Sequence, residues 1–388
     1  MLIKNLNNPK VYLYYSLFSN LLIIGPIIVP FLLFKGLTYS QIMLLQSIAA
    51  IAVVIFEVPT GSIADKTSRK LSLGLGILFG FLGLLIYTVF SSFFIFVIAE
   101  IFFGLGMTFK SGADSALLYE SLAANGRKKD YQKIEGQAQS LIFIGQAVGS
   151  IISGFTYKIS PYIPFIISLF NLIIAGLVSF CFIEKERLKS EHKYLVHVFR
   201  SLNIAYKTPR ILWAVLFAVL IGFLFRTSFW VYQPYFEHVN IDVMWFGVIF
   251  FFFNMMAAFS SKYLVKKFYD TRPRKVLLSL VVLLFLSFAL PAIIQLPIAL
   301  IFLSLQQIVR GLHKPTMRFY INHQVKDKYR ATVISIVSLA TSLGFAVLSP
   351  FVGLSLDNFG TIFTYSILAI FSLASLTFLF FLRKYQKR

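Results

Sequence analysis

The chain has 388 residues, of which 58% are hydrophobic and only 13% charged, and its mean hydropathy is +0.80. A soluble domain carries roughly 25% charged residues, so this composition argues against a water-soluble fold and suits a lipid bilayer as the solvent. The net charge of +21 is spread over short segments between apolar runs, which argues against nucleic-acid binding because that function needs a basic face on a folded domain.

The apolar runs predict an all-α membrane protein with twelve transmembrane helices. The first run starts near Val11 and is too long for the core of a signal peptide, and no small-residue cleavage site follows it. We therefore expect it to be retained as the first span. Runs of the roughly twenty residues that a span needs are centred near residues 22, 51, 80, 105, 147, 172, 223, 253, 284, 309, 343 and 371.

The basic residues orient these spans. With a cytoplasmic N-terminus, the inside segments hold 30 of the 36 Lys and Arg residues, and the outside connections hold only Lys35 and Lys158. Cytoplasmic loops of membrane proteins are enriched in Lys and Arg, so both termini are predicted to be cytoplasmic. An error of one span in the middle of the chain would have mixed the two sets of loops.

The longest hydrophilic stretch divides the spans into six and six. We predict an N-terminal six-helix half at 1–183, a central cytoplasmic loop at 184–210 and a C-terminal six-helix half at 211–388. Parallel six-span halves are a known architecture of secondary transporters. A weak internal repeat with an offset near 200 residues supports the division, because Gly61-Ser62 after the second span corresponds to Ser260-Ser261 after the eighth.

The loop after the second span carries the most specific motif of the chain. Gly61 is followed four residues later by Asp65, and then by Arg69 and Lys70. This pattern resembles the signature loop of the major facilitator superfamily, although Ser68 stands where a second glycine is usual. The resemblance implies the major facilitator fold, with Gly61, Asp65, Arg69 and Lys70 as a conformational latch. The alternative is an ordinary basic turn that obeys the charge rule.

Small residues in the fifth span offer a second resemblance. Gly136, Gly145 and Gly149 are spaced like the glycines of an exporter motif of the superfamily. Ser150 stands in place of its proline and Ser153 in place of its last glycine, with Gly154 adjacent. The resemblance implies export of the substrate. The alternative is close helix packing at small residues, which has no bearing on the direction of transport.

Ionisable residues within spans are costly and therefore become candidates for function. Glu100 and Asp114 fall within about 60° of each other on a continuous helix, so they predict a polar stripe that faces a cavity. A carboxyl there can bind and release a proton, and both residues are candidates for proton coupling. For Asp114 the alternative is pairing with Lys110, one turn earlier. Glu57, near the latch, is assigned a structural role beside a basic residue.

The second half contributes basic residues. Arg226 and Gln233 share a face of span seven, and Arg310 and His313 lie on one stripe of span ten with Lys314 at its edge. These five residues are candidates for binding an anionic group of the substrate or for closing a gate with the carboxylates of the first half. Lys314 can also extend its ammonium towards the cytoplasmic surface.

These features predict a secondary transporter that works by alternating access, because no ATPase signature occurs. Segments 232–236 and 329–336 resemble bacterial members classed as drug exporters. The resemblance implies efflux of small lipophilic compounds in exchange for protons, by a monomer in the cell membrane of a bacterium.

Two alternatives stay open. One is the uptake or exchange of a small metabolite, anionic if Arg226 and Arg310 bind it. The other is an integral membrane enzyme, for which the histidines near Glu191 and Glu237 are weak candidates. The single Cys181 excludes an internal disulfide and no Cys/His cluster has metal-ligand spacing, so we expect neither a metal nor a cofactor.

Overall fold

The computed structural model describes residues 7–21, 23–184, 209–264, 273–325 and 327–382, and within these ranges every regular element is a helix. The α-helices are α1 (Asn8–Phe18), α2 (Ile28–Phe34), α3 (Tyr39–Lys66), α4 (Arg69–Val89), α5 (Phe93–Lys110), α6 (Ala113–Ala124), α7 (Tyr131–Ile159), α8 (Ile163–Phe180), α9 (Pro209–His238), α10 (Phe246–Phe259), α11 (Pro273–Ile294), α12 (Leu300–Leu303), α13 (Leu305–Gln324) and α14 (Asp327–Phe381). A π-helical turn, Ser260–Leu264, follows α10.

The helices of the described ranges form twelve spans, as the apolar runs predicted. Within the described ranges, nine helical segments are long and apolar enough to cross a membrane by themselves. The last of these contains two spans, because Gly360 interrupts α14 with φ 79° and ψ −179°. The two remaining spans are the first, which is divided between α1 and α2, and the tenth, in which α13 carries Arg310, Lys314 and Arg318.

Polar side chains satisfy the backbone where the first span is interrupted. In hydrocarbon every backbone polar group needs a partner from the protein. The carbonyl of Phe18 accepts a 2.7 Å hydrogen bond from Asn171 Nδ2. The carbonyl of Ser19 accepts one of 3.2 Å from Lys110 Nζ. Lys110 thus has a structural role at membrane depth, since it satisfies a backbone carbonyl of the first span.

The chain divides into two units of similar size. The first unit contains Met1–Gly36, Ile48–His192 and Val243–Phe251, and the second contains Leu37–Ser47, Lys193–Asp242 and Phe252–Arg388. The division therefore falls within α3 and α10. Of the central loop predicted at 184–210, residues 185–208 lie outside the described ranges.

Helices approach closely at glycines in each unit. In the first unit, α4 and α5 meet at Gly76 and Gly106, where a methyl group on Gly106 would lie 2.9 Å from the carbonyl oxygen of Gly76. In the second unit, α9 and α14 meet where Gly344 faces the side chain of Val219. Small residues permit this because association in lipid depends on van der Waals contact between helices.

Candidate functional site

A helix cap orders the loop of the predicted latch in the first unit. Ser68 is the N-cap of α4, and its hydroxyl accepts a hydrogen bond from the backbone N–H of Leu71. The Glu184 carboxylate accepts hydrogen bonds from the Ser68 hydroxyl at 2.6 Å and from the backbone N–H groups of Arg69 and Lys70 at 3.0 and 3.1 Å. A carboxylate is favourable here because a helix N-terminus carries partial positive charge. Sequence reasoning did not select Glu184.

The Arg69 side chain joins this loop to α6. Its guanidinium lies 2.8 Å from a carboxylate oxygen of Glu120 and 4.0 Å from one of Asp65. Both acids are about half exposed, so each pair contributes only about 0–1 kcal/mol. Gly61 would meet no atom within 4 Å if it carried a methyl group, so no close helix contact in the described chain requires it. Glu57 is partly buried one turn before Gly61.

Glu100 lies between α4 and α5. Its carboxylate accepts a hydrogen bond from the phenol of Tyr87, and the Glu100 residue is only 4% exposed. Phe96 and Phe103 pack against the Tyr87 ring, with centroids at 4.7 and 5.5 Å. The side chain is therefore enclosed by α4 and aromatic rings, whereas Met107, two turns further along α5, is 61% exposed.

Asp114 begins a new helix. Gly112 adopts φ 74°, a conformation that glycine reaches easily, and this residue separates α5 from α6. A continuous stripe from Glu100 to Asp114 is thus interrupted. Asp114 lies in the first turn of α6 and accepts a 2.6 Å hydrogen bond from the N–H of Ser115. Lys110 is directed to the carbonyl of Ser19 instead of forming an ion pair with Asp114 in the described part of the chain.

The glycines of α7 have different surroundings. Gly145 faces the side chain of Leu17 on α1, and Gly154 faces the backbone of Met244 within the first unit. Gly149 is buried. Gly136 is exposed, and a methyl group there would meet no described atom within 4 Å.

A polar network in the second unit holds Arg310. Its guanidinium donates to Asn254 Oδ1 at 2.8 Å and to Gln307 Oε1 at 3.4 Å. Gln307 donates in turn to the Tyr232 hydroxyl at 2.9 Å. Next to this network, Gly311 brings α13 against α10, where a methyl group would lie 2.8 Å from the carbonyl of Ala257. This close crossing places Asn254 within reach of Arg310.

The other candidates of the second unit surround this network. The Arg226 guanidinium lies over the ring of Phe345, 4.3 Å from its centroid. Lys314 is exposed, and the positive charges of Arg226, Arg310 and Arg318 act on its ammonium group. His313 packs against the ring of Phe225, with centroids at 5.2 Å.

Gln233, the remaining candidate of α9, is fully buried.

A second carboxylate caps a helix in the second unit. Thr38 and Gln41 form a reciprocal capping box at the start of α3. Asp357 of α14 accepts hydrogen bonds from the next two free backbone N–H groups, those of Tyr39 at 3.0 Å and Ser40 at 2.8 Å. The capping box is visible in the sequence, whereas the contribution of Asp357 is not.

The family of the chain follows from its sequence. Residues 12–304, and again 242–388, match the family model of the Major Facilitator Superfamily. These matches cover nearly the whole chain. The chain belongs to the major facilitator superfamily. The family that the loop Gly61–Lys70 indicated is thereby confirmed, and the protein is a membrane transporter of this type.

The relatives agree in fold and differ in what their names say they transport. The chain is 23% identical to an uncharacterized MFS-type transporter, YxaM, of Bacillus subtilis, over 90% of this chain and 89% of that protein. A mutant of the nucleoside transporter NupG has a TM-score of 0.82 at 15% identity, covering 97% of this chain and 100% of that one. A D-xylose–proton symporter has a TM-score of 0.71 at 14% identity, covering 96% and 95%. At such identities the structures establish the twelve-helix fold alone.

Four partners of the candidate site residues and helix ends were not predicted from the sequence. Glu184 follows the end of α8, Asp357 lies three residues before the interruption at Gly360, and neither belongs to a motif. Tyr87 and Asn254 are single polar residues in apolar helices. Such a residue becomes a candidate only when its charged partner on a neighbouring helix is known. Each of the four is a partner across helices, which explains why a search along the chain did not find them.

Proposed function

We propose that this transporter exports small lipophilic compounds in exchange for protons, working by alternating access as a monomer in a bacterial cell membrane. The observation that carries the proposal is the Glu100 carboxyl, which is enclosed within the membrane and hydrogen-bonded to the neutral phenol of Tyr87. The glycines of α7 that resemble an exporter motif support the direction.

A carboxyl in this position suits proton exchange. A charged side chain inside the bilayer costs several kcal/mol unless the protein compensates it, so an acid retained at membrane depth is expected to serve function. The Tyr87 phenol donates to the ionised carboxylate, while the protonated carboxyl is uncharged and tolerates its aromatic surroundings. Movement of the helices that changes access to Glu100 would then change whether it carries a proton.

A second candidate function is the uptake or exchange of a small metabolite. The names of the structural relatives, which include a nucleoside transporter and a D-xylose–proton symporter, favour polar cargo. The basic residues Arg226, Arg310 and Lys314 of the second unit also fit a polar substrate better than an uncharged lipophilic one. The two candidates differ in the direction of net transport and in the polarity of the cargo.

Transport by purified protein in liposomes tests the proposal. Proteoliposomes that contain the pH indicator pyranine are given the lipophilic dye Hoechst 33342 or, in separate experiments, uridine, D-xylose or a dipeptide. Export predicts that an imposed proton gradient drives the dye across the membrane while protons move in the opposite direction. Accumulation of a polar solute without dye movement would support the second candidate.

A pair of matched variants tests Glu100. Glu100→Gln is expected to abolish coupled proton movement. Glu135→Gln is the control, because the Glu135 carboxylate also accepts a tyrosine hydroxyl, that of Tyr12 at 2.8 Å, in the same unit. Proton movement that persists in Glu100→Gln would remove Glu100 from the coupling mechanism.

A further inference from the structure

Three basic side chains of the second unit lie at membrane depth on two helices, Arg226 on α9 and Arg310 and Lys314 on α13. The acids of this unit whose side chains are described are Glu237, Asp242 and Asp357. Glu237 follows Arg226 by eleven residues on the same helix, about 16 Å along its axis. Asp357 caps the start of α3. Neither Glu237 nor Asp357 forms an ion pair with Arg226 or Lys314 in the part of the chain that the structure describes.

Arg310 is held in a fixed orientation. Its guanidinium donates to the amide oxygens of Asn254 and Gln307, and Gln307 is itself anchored to the Tyr232 hydroxyl. Amide oxygens orient a guanidinium but do not cancel its charge. The network thus fixes a positive charge one turn of helix before Lys314, and like charges at this spacing repel each other.

Arg226 and Lys314 form no ion pair in the part of the chain that the structure describes. Arg226 rests on the Phe345 ring, which attracts a cation and leaves its outer N–H groups for other partners. Close packing of α9 on α14, where Gly344 faces Val219, holds this arrangement. Lys314 is exposed and is repelled by Arg226, Arg310 and Arg318.

We infer that the substrate of this transporter carries an oxyanion, a carboxylate or a phosphate, that binds between Arg226 and Lys314. A guanidinium offers paired N–H donors that match the two oxygens of such a group, and an ammonium adds a mobile point charge. Arg310 is a positioning residue that adds to the local positive potential. The buried ring of Phe345 supports the Arg226 guanidinium from one side. The inference rests on the second candidate of the proposed function, transport of a small polar metabolite, and narrows its cargo to anions.

Binding measurements on detergent-purified full-length protein test this independently of transport. Thermal unfolding is followed at constant ionic strength with three matched pairs: benzoate and benzamide, phenyl phosphate and phenol, and uridine 5′-monophosphate and uridine. We expect at least one anion to raise the midpoint by about 2 °C or more at saturation while its neutral partner does not. No preference for the anion in any of the three pairs would overturn the inference.

Variants test whether the response to the anion depends on the cluster of Arg226 and Lys314. Arg226→Gln and Lys314→Gln should each raise the midpoint without ligand, because they relieve repulsion, and should lose the response to the anion. Lys275→Gln is the control, since it removes the same charge from an exposed position at the start of α11. An anion response that survives both cluster variants would overturn the assignment.

A lipid headgroup offers the same chemistry as a soluble anion. Nanodiscs of phosphatidylcholine with and without phosphatidylglycerol separate the two sources. If phosphatidylglycerol gives all of the stabilisation and no soluble anion competes with it, the cluster is a lipid site and the substrate inference fails. If the soluble anion stabilises the protein in pure phosphatidylcholine, the inference is supported, even where the liposome assay shows no proton exchange.

Discussion

Replacing Asp357 with alanine removes the carboxylate that caps α3. In the native chain this carboxylate accepts the backbone N–H groups of Tyr39 at 3.0 Å and Ser40 at 2.8 Å. The capping box of Thr38 and Gln41 stays in place, so only these two donors lose their partner. We expect the first turn of α3 to open more often.

The cost follows from the exposure of the site. A hydrogen bond to a charged group contributes about 1.5–3 kcal/mol where water is excluded. These two bonds are exposed, so water can replace the carboxylate and the loss is closer to that of an N-cap, about 0.5–2 kcal/mol. Loss of a negative charge at the helix N-terminus adds about 0.3–1 kcal/mol. We expect a value near the middle of the combined range, about 1–2 kcal/mol, and about half of that for Asp357→Asn, which keeps one acceptor oxygen.

Hydrogen exchange of the backbone amides measures the loss of stability in the first turn of α3. One to two kcal/mol corresponds to a roughly 5–30-fold increase in exchange at residues 39 and 40. Asp130→Ala is the control, because the Asp130 carboxylate pairs with Arg127 at an exposed position instead of capping α3. Unchanged exchange at residues 39 and 40 in Asp357→Ala would refute the capping role.

Three further predictions concern the first unit. Tyr87→Phe takes a donor from the buried Glu100 carboxyl and should lower stability by about 1–3 kcal/mol in thermal unfolding; an unchanged midpoint would mean that other donors suffice. Glu184→Gln removes the charge that caps α4 and should lower the local stability of its first turn by about 0.5–2 kcal/mol. Faster amide hydrogen exchange at residues 69–70 would show this loss, and exchange equal to that of the native protein would contradict it. Gly106→Val forces α4 and α5 apart and should reduce the yield of folded protein in fluorescence-detected gel filtration, since a methyl group there meets backbone at 2.9 Å. Gly136→Ala should instead raise the stability by about 0.5–1 kcal/mol, because a methyl group there meets open space. If both glycine variants behave alike, the contrast between a packed and an open glycine is wrong.

Much of the fold was predictable because a bilayer imposes few and simple constraints on the sequence. A span must be apolar over its length and its loops must obey the charge rule, and both properties are read along the chain without knowing which helices touch. The twelve spans and the membership of the superfamily therefore came from hydrophobicity, loop charge and the residues Gly61, Asp65, Arg69 and Lys70. The interruption at Gly360 divides a helix where the runs had already predicted two spans.

Interruptions within a span were less predictable. Gly112 breaks the fourth span at membrane depth, where the sequence continues with few charges and offers no proline. A glycine in an apolar helix can also serve close packing, as Gly106 shows six residues earlier. The helical wheel that placed Glu100 and Asp114 on one face assumed a continuous helix. The left-handed conformation of Gly112 shows that the helix is interrupted between them.

The partners of the charged residues depended on the folded structure. Glu100 meets Tyr87, Lys110 meets the carbonyl of Ser19, and Arg310 meets Asn254, and each contact joins different helices. Which helices are neighbours, and at what axial offset, depends on close approaches at a few glycines and on where helices break. Apolar periodicity carries little of that information, because lipid and protein interior select the same side chains. The amino-acid sequence therefore dictates which residues enter the membrane, and the packing of helices dictates what each of them binds.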